Sequence, residues 1–231
     1  MTEVQPRRLI TTLFGLYARE DELSSAAARR GGWLSVAGLV RLMADLGVDA
    51  AAVRSSVSRL KKRGVVEAER RDGSAGYALS ADAIEVLREG DTRIWSPSRA
   101  SAADGWLVAL FSVPETERDK RHLLRSTLAG LGFGSAAPGV WIAPATSADE
   151  ALAALTRRGL AAYTEFFAGA YLGSDVAHRM GEWWDLPAIA AQYDEFLARF
   201  GPLRSAPGGT DRDAFAAYVP LLTVWRRLPY L

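Results

Sequence analysis

The sequence predicts an α+β fold in three parts, on the strength of three observations. Two capped helices and a charged hairpin follow one another between residues 35 and 79. Strand-like and helix-like segments alternate between residues 106 and 167, and aromatic side chains recur at helical intervals after residue 183. We therefore expect an N-terminal domain at 1–95, a central domain at 96–174 and a helical C-terminal domain at 175–231.

The two capped helices lie between residues 35 and 64, behind a first packing helix near residues 9–17. Ser35 can cap the first of them and Asp49 the second, because short oxygen-bearing side chains accept hydrogen bonds from free backbone N–H groups. Gly47 and Gly64 are the expected ends. The first helix carries apolar residues at three- and four-residue intervals: Leu39, Leu42, Met43 and Leu46.

The second capped helix has a basic outward face. Val53, Val57 and Leu60 share one side and are expected to face the core. Arginine and lysine reach phosphates and guanine edges, and serine allows close approach, so the opposite side suits a DNA major groove. That side and the helix end present Arg54, Ser55, Ser58, Arg59, Lys61, Lys62 and Arg63.

A charged hairpin follows this helix. Strands are predicted at Val65–Arg71 and Tyr77–Leu79 around a tight Asp72-Gly73 turn, which puts Arg70 and Arg71 near the tip. Residues 54–71 hold seven basic and two acidic side chains, whereas the whole chain has a net charge of only +1. Helix, turn, basic helix and hairpin form a winged helix-turn-helix, which predicts binding of double-stranded DNA. The alternative is a solvated helix end whose cations complement the helix dipole.

The central segment alternates strands and helices and is predicted to be ferredoxin-like. The expected elements are a strand at Trp106–Val113, a helix at Glu117–Leu131, a strand at Gly139–Ala143, a helix at Ala148–Arg157 and a strand at Ala161–Phe167. We interpret Gly130, Gly132 and Gly134 as turn residues. They do not form a phosphate-binding loop, because they follow a helix rather than a strand.

Composition excludes several classes of protein. The chain has 231 residues, 49% of them hydrophobic, with no cysteine and only two histidines. Disulfides, zinc–thiolate sites and thiol nucleophiles are therefore excluded, and His122 and His178 are too far apart in sequence to form a two-histidine ligand pair on one helix. We expect no metal, no cofactor, no enzyme activity and no membrane span, in a cytoplasmic protein.

Several motifs together resemble the PaaX family of transcriptional repressors. They are Thr12–Tyr17, Val53–Leu60 with Arg63-Gly64, Leu131–Gly134 with Pro138–Pro144, and Trp183–Leu186 with Tyr193 and Phe196. The resemblance implies a winged helix, a central domain similar to a small CRISPR-associated endoribonuclease, a homodimer and release from DNA by an aromatic acyl-coenzyme A. Trp106–Val113 carries no acidic residue, so nuclease activity is not expected. Similar family members continue past the region of Leu231, so a shortened C-terminal domain is expected.

An acyl-coenzyme A pocket needs aromatic walls beside arginine or lysine. The C-terminal half offers both, with Trp183, Trp184 and Tyr193 predicted on one helix, and the candidate effector-binding residues are Trp141, Trp183, Trp184, Tyr193, Trp225, Arg226 and Arg227. The alternative is that the aromatic residues close a helical core and the arginines complement a helix C-terminus.

The sequence thus predicts a repressor that binds a palindromic operator as a homodimer and is released by a small effector such as phenylacetyl-coenzyme A. The alternative is an interaction or scaffold protein that uses the winged helix for protein contacts. The exposed basic set favours DNA, because protein-binding faces more often present aromatic or aliphatic anchors.

Overall fold

The structure is a computed structural model that describes residues 4–19, 32–95, 100–205 and 208–230. These residues form nine α-helices and seven β-strands. In chain order they are α1 Pro6–Tyr17, β1 Trp33–Ser35, α2 Val36–Asp45, α3 Ala50–Lys62, β2 Val66–Arg71, β3 Ser74–Leu79, α4 Ala81–Trp95, β4 Trp106–Phe111, α5 Arg118–Gly130, β5 Gly134–Ala137, β6 Val140–Pro144, α6 Ala148–Arg157, β7 Thr164–Gly169, α7 Val176–Trp183, α8 Leu186–Phe200 and α9 Asp211–Trp225. The predicted α+β class is confirmed.

The chain divides into two compact units. The first comprises the described parts of Met1–Ser96 and Ala198–Arg226, and the second those of Pro97–Leu197 and Arg227–Leu231. The segment predicted as a separate C-terminal domain therefore contributes to both units: α7 belongs to the second, α9 to the first, and α8 runs across the boundary.

Helix caps in the first unit form where the sequence predicts them. The Ser35 hydroxyl accepts a hydrogen bond from the Gly38 backbone N–H at 3.0 Å, and the Asp49 carboxylate accepts from Ala51 and Ala52 at 2.8 and 2.9 Å. These bonds satisfy N–H groups that a helix start leaves without partners. The structure confirms both caps.

The core of the first unit brings α1, α2, α3 and α9 together. Its largest fully buried side chains include Ile10, Leu13, Phe14, Leu39, Met43 and Val53, with Val219 contributed by α9. Inside this core the Thr223 hydroxyl donates to the Val219 carbonyl at 2.6 Å and lies 2.9 Å from the Thr12 hydroxyl. A buried hydroxyl pair of this kind fixes how α9 meets α1.

The sheet of the first unit has the strand order β1-β3-β2, with antiparallel neighbours. Asp72 and Gly73 both have positive φ angles, 48° and 76°, as a two-residue hairpin turn requires. The predicted tight turn is confirmed. Helix α4 follows the hairpin and continues to Trp95.

The second unit holds a four-stranded antiparallel sheet of order β5-β6-β4-β7. The elements follow one another as strand, helix, two strands, helix and strand, and the core contains residues of α5, α6 and one sheet face, among them Leu107, Ala109, Leu124, Leu128 and Leu155. The predicted strands and helices are present, with ends that differ by a few residues.

Two sequence interpretations in this unit are wrong. Gly134 is not a turn residue but begins β5, where a Cβ would lie 2.7 Å from the Trp184 ring. The single helix predicted to carry Trp183, Trp184 and Tyr193 is two helices: α7 ends at Trp183, and Trp184 is extended with ψ 146°. The Asp185 carboxylate accepts from the Ala188 N–H at 3.0 Å and so begins a new helix.

Candidate nucleic-acid interface

Helix α3 separates its buried and exposed sides as the sequence predicts. Val53, Val57 and Leu60 are buried, as is Ser56, which the sequence analysis had not assigned. The predicted DNA-contacting residues of α3 and its C-cap are all exposed: Arg54, Ser55, Ser58, Arg59, Lys61, Lys62 and Arg63. The structure therefore brings these seven side chains to one continuous surface, which we call the basic face.

The basic face carries no carboxylate, because α3 itself has no acidic residue. The nearest one in sequence, Asp49, is used as the helix cap. Its bonds from the N–H groups of Ala52 and Ala51 lower the pKa of that carboxyl. The charge lies at the N-terminal end, where the helix dipole favours it, and the cations of the basic face concentrate toward the other end.

The two arginines of the hairpin have different surroundings. Arg70 is exposed and donates to the Gly73 carbonyl across the turn at 2.8 Å. Arg71 is half-buried and donates to both carboxylate oxygens of Glu69, at 2.7 and 3.1 Å. This pair lowers the pKa of Glu69. Arg70 is therefore the tip arginine whose charge faces outward, and no ion pair joins it to the residues that the structure describes.

Trp33 holds the hairpin against β1 and was missed by the sequence analysis. Its indole N–H donates to the Glu69 carbonyl at 3.3 Å, and its ring lies 5.9 Å from the Arg71 guanidinium. The ring also occupies the space beside Gly76, where a Cβ would lie 2.3 Å from ring atoms. A glycine in the interior of a strand is the sequence signal for such a contact, because it often marks a place that another group approaches closely.

Ser80 ties the hairpin to α3. Its hydroxyl donates to the Gly64 carbonyl at 2.6 Å and accepts from the Ala83 N–H at 3.2 Å. Gly64 has a φ of 69°, the left-handed conformation that ends α3. The end of the basic face and the base of the hairpin are thereby held in one arrangement.

Among the candidate effector residues, Trp183 and Trp184 are brought together. Their rings lie 6.0 Å apart, and they lie 5.6 and 6.2 Å from the ring of Trp106, which the sequence analysis had not included. Tyr171 is 5.8 Å from Trp183. The Trp184 indole donates to the Gly132 carbonyl at 3.0 Å. These rings therefore pack mainly against one another.

Trp141 and Trp106 lie on opposite faces of the sheet in the second unit. Trp141 pairs with Ala109 and belongs to the core on the helix-covered side, whereas Trp106 alternates to the opposite side of β4. Tyr193 donates to the Leu228 carbonyl at 3.0 Å, and burial raises its pKa. The predicted aromatic set therefore does not form one wall within the second unit.

The remaining candidate effector residues lie at the end of α9. Trp225 and Arg226 belong to the first unit, where the Trp225 indole donates to the Ile94 carbonyl at 3.1 Å and Arg226 reaches the Thr12 hydroxyl at 3.4 Å. Arg227 is exposed and belongs to the second unit. Trp225 and Arg226 thus have partners of their own within the first unit.

Neither a cluster of metal-binding side chains nor a membrane-spanning helix is found among the described residues. Residues 4–19, 32–95, 100–205 and 208–230 contain no group of three or more His, Asp or Glu side chains that could hold a metal ion. Within the same ranges no helix is long and apolar enough to cross a bilayer.

Comparison with known proteins gives three family matches along the chain. Residues 5–83 match the family described as PaaX-like protein, residues 99–180 the PaaX protein central Cas2-like domain, and residues 184–231 the PaaX-like protein C-terminal domain. The transcriptional repressor PaaX of Escherichia coli strain K12 is 26% identical over 231 residues, which cover 95% of this chain and 69% of that protein.

A solved structure shares the fold. The uncharacterized protein Rv0674 from Mycobacterium tuberculosis superimposes with a TM-score of 0.55 at 19% sequence identity, covering 99% of this chain and 86% of the other.

Proposed function

The chain belongs to the PaaX family, and from this premise we propose that it is a transcriptional repressor that binds operator DNA through the basic face of α3 and the β2–β3 hairpin. The observation that carries the proposal is the basic face itself, seven exposed side chains on a capped helix that has no acidic residue. Such a surface fits phosphates and the acceptor edge of guanine.

In this proposal the first unit is a winged helix-turn-helix. Helices α2 and α3 are the two helices of the motif, α3 enters the major groove, and the β2–β3 hairpin is the wing, with Arg70 toward the DNA backbone. The second unit is then ferredoxin-like, which its strand order and its strand–helix alternation support. A fold of this kind is a platform, and DNA binding is the task of the first unit.

We propose that the repressor acts as a homodimer on a palindromic operator. A single winged helix buries little DNA, and two-fold symmetry doubles the contact. An exposed apolar surface on the sheet of the second unit supports self-association. Phe167, 57% exposed, pairs with Val108, and the neighbouring Leu110 is exposed as well. A second copy of the chain covering these side chains would remove them from water.

A small effector completes the proposed function. We propose that the repressor is released from DNA by an aromatic acyl-coenzyme A such as phenylacetyl-coenzyme A, on the ground of family membership. The protein-binding alternative has less support, because the basic face exposes no aromatic or aliphatic anchor.

The experiment compares operator binding by three variants of the full chain. Arg54→Ala and Arg59→Ala should each weaken binding by about 1–3 kcal/mol if each arginine makes a bidentate base contact. Arg88→Ala on α4 is the control, an exposed arginine outside the basic face, and it should bind as the wild type does. Equal binding by all four proteins, or melting temperatures that fall together with affinity, would contradict the assignment.

A further inference from the structure

The second unit contains a cleft of about 560 Å³ beside α5, at the end of β4 and the turn between β5 and β6. Apolar surface comes from Phe111, Pro138 and Trp141, and two hydroxyls come from Ser112 and Ser135. Volumes of roughly 300–1,000 Å³ are typical of small-molecule sites. The cleft is therefore large enough for an aromatic ring and several further atoms.

Two arginines, Arg121 and Arg125, lie at the rim, and within the described part of the chain only Arg121 has a counter-charge. Glu115 pairs with Arg121 at 3.0 Å and with Arg118 at 3.2 Å. Lys120 pairs with a different carboxylate, that of Glu117. Arg125 also lines the cleft, is exposed, and makes no ion pair with any residue the structure describes. One carboxylate shared by two arginines leaves the rim positive.

Contacts within the protein hold the Arg121 side chain in place before any ligand binds. The Arg121 guanidinium donates to the Val113 carbonyl at 2.7 Å in addition to its pair with Glu115. Arg121 and Arg125 are four residues apart on one helix, a spacing at which like charges repel. An anion bound between them would turn this repulsion into attraction and would accept charge-assisted hydrogen bonds.

The floor of the cleft suits an apolar ring. Trp141 is only 7% exposed and is fixed by the core, so the part of its indole that faces the cleft presents a rigid surface. An aromatic ring can make an edge contact with the small exposed part of this indole. Ser112 and Ser135 are exposed, line the same cleft and add hydroxyl groups for hydrogen bonding.

We propose that this cleft is the effector site and that it takes a molecule in which an apolar ring is joined to an anionic group, the ring on Trp141 and the anion on Arg125 and Arg121. The proposal rests on the proposed release of the repressor by an effector. The anion has two sources, the carboxylate of a free aromatic acid or the phosphates of its coenzyme A thioester. The site differs from the predicted effector set, of which it retains only Trp141.

The test titrates the full chain with phenylacetate and with phenylacetyl-coenzyme A and follows heat and tryptophan fluorescence. Arg125→Gln should weaken binding of the active probe by at least about tenfold, as expected for loss of a charge-assisted hydrogen bond. Arg118→Gln is the matched control, because Arg118 lies on the same helix two turns earlier and does not line the cleft. It should change affinity by less than about twofold.

Two further variants separate the contribution of the charge at position 125 from that of the ring at position 141. Arg125→Lys should recover part of the affinity, because lysine restores the positive charge but lacks the planar set of N–H donors that arginine has. Trp141→Phe should keep binding detectable by heat while removing most of the fluorescence change. Tight binding of phenylacetate assigns the anion to a carboxylate, whereas binding of the thioester alone assigns it to the phosphates.

The site and the proposed function fail in different ways. If phenylacetyl-coenzyme A releases operator DNA equally well from the wild type and from Arg125→Gln, the site is wrong and the function stands. If a probe binds in an Arg125-dependent way but the protein binds no DNA, the site stands and the function is wrong. If neither probe binds at millimolar concentration, the site is overturned.

Discussion

Replacing Gly76 by alanine tests how Trp33 positions the hairpin. The added Cβ would lie 2.3 Å from two atoms of the Trp33 ring and 2.5 Å from the Leu34 carbonyl oxygen, which belongs to the backbone of the neighbouring strand. Both distances are far below van der Waals contact, so the ring and the β1–β3 pairing must shift. Forcing an extra carbon into a packed site costs about 1–3 kcal/mol.

A second loss comes from the indole. If the ring moves, the bond from the Trp33 N–H to the Glu69 carbonyl, 3.3 Å long, is weakened, which costs about 1 kcal/mol more. We therefore expect Gly76→Ala to lower the free energy of unfolding by about 2–4 kcal/mol in urea titrations at an unchanged slope. Operator affinity should fall as well, because the tip of the hairpin moves with its base.

Gly15 provides the matched control within the same unit. It lies inside α1, and its added Cβ would meet only the Leu87 side chain at an ordinary 3.9 Å. Gly15→Ala should therefore be neutral or stabilise by about 0.5–1 kcal/mol, because alanine loses less backbone entropy in a helix. The reasoning about Trp33 is refuted if Gly76→Ala unfolds at the same urea concentration as Gly15→Ala.

Three further outcomes follow from the contacts. Arg70→Ala should reduce the salt slope of operator binding by about one unit and Arg71→Ala by less, since a carboxylate on the same strand already pairs with Arg71; equal slopes for both variants would contradict this. Thr223→Val should cost about 1–2 kcal/mol of stability in thermal or urea unfolding, because it removes the buried hydroxyl that is bonded to Thr12 and to the Val219 carbonyl; no loss would mean that the hydroxyl pair is not formed. The lowered pKa of Asp49 stabilises the folded protein above the unfolded pKa of about 4, and this stability is lost as pH falls through the folded pKa. Asp49→Asn should therefore flatten the decline of the unfolding midpoint below about pH 4. An identical decline in both proteins would exclude this cap as a cause.

The features that could be predicted from the sequence are local ones. Ser35 and Asp49 cap helices through bonds to residues two or three positions ahead, and Asp72-Gly73 closes a turn by its own backbone angles. The exposed side of α3 follows from the spacing of Val53, Val57 and Leu60. Such interactions are encoded within a few residues, so a pattern along the chain contains them.

Two features of the second unit were missed, one of which depends on residues distant in sequence. Gly134 looked like a turn residue because nothing near it indicates that the Trp184 ring packs on its Cα. The helical spacing of aromatic residues continues across the break at Trp184, so periodicity alone could not divide α7 from α8. The first error arises because tertiary packing overrides the local pattern, whereas the second overlooked a local signal, the Asp185 cap and the Pro187 of the first turn that begin α8.

The cleft beside α5 was missed for a related reason. The sequence shows a basic helix with acidic residues just before it, and a solvated face of paired charges is the usual meaning of that pattern. Which cation lacks a partner depends on side-chain geometry. The structure pairs Arg118 and Arg121 with one carboxylate, and Arg125 makes no ion pair within the described residues.

Selection of DNA sequences from a random duplex pool by the purified full chain tests the central claim most directly. We predict that the wild type enriches an inverted repeat and that Arg59→Ala relaxes the preference at a symmetric pair of positions while the protein stays folded. Enrichment of no sequence by a folded wild type, or an unchanged preference in Arg59→Ala and Arg54→Ala alike, would contradict the claim that α3 reads operator DNA.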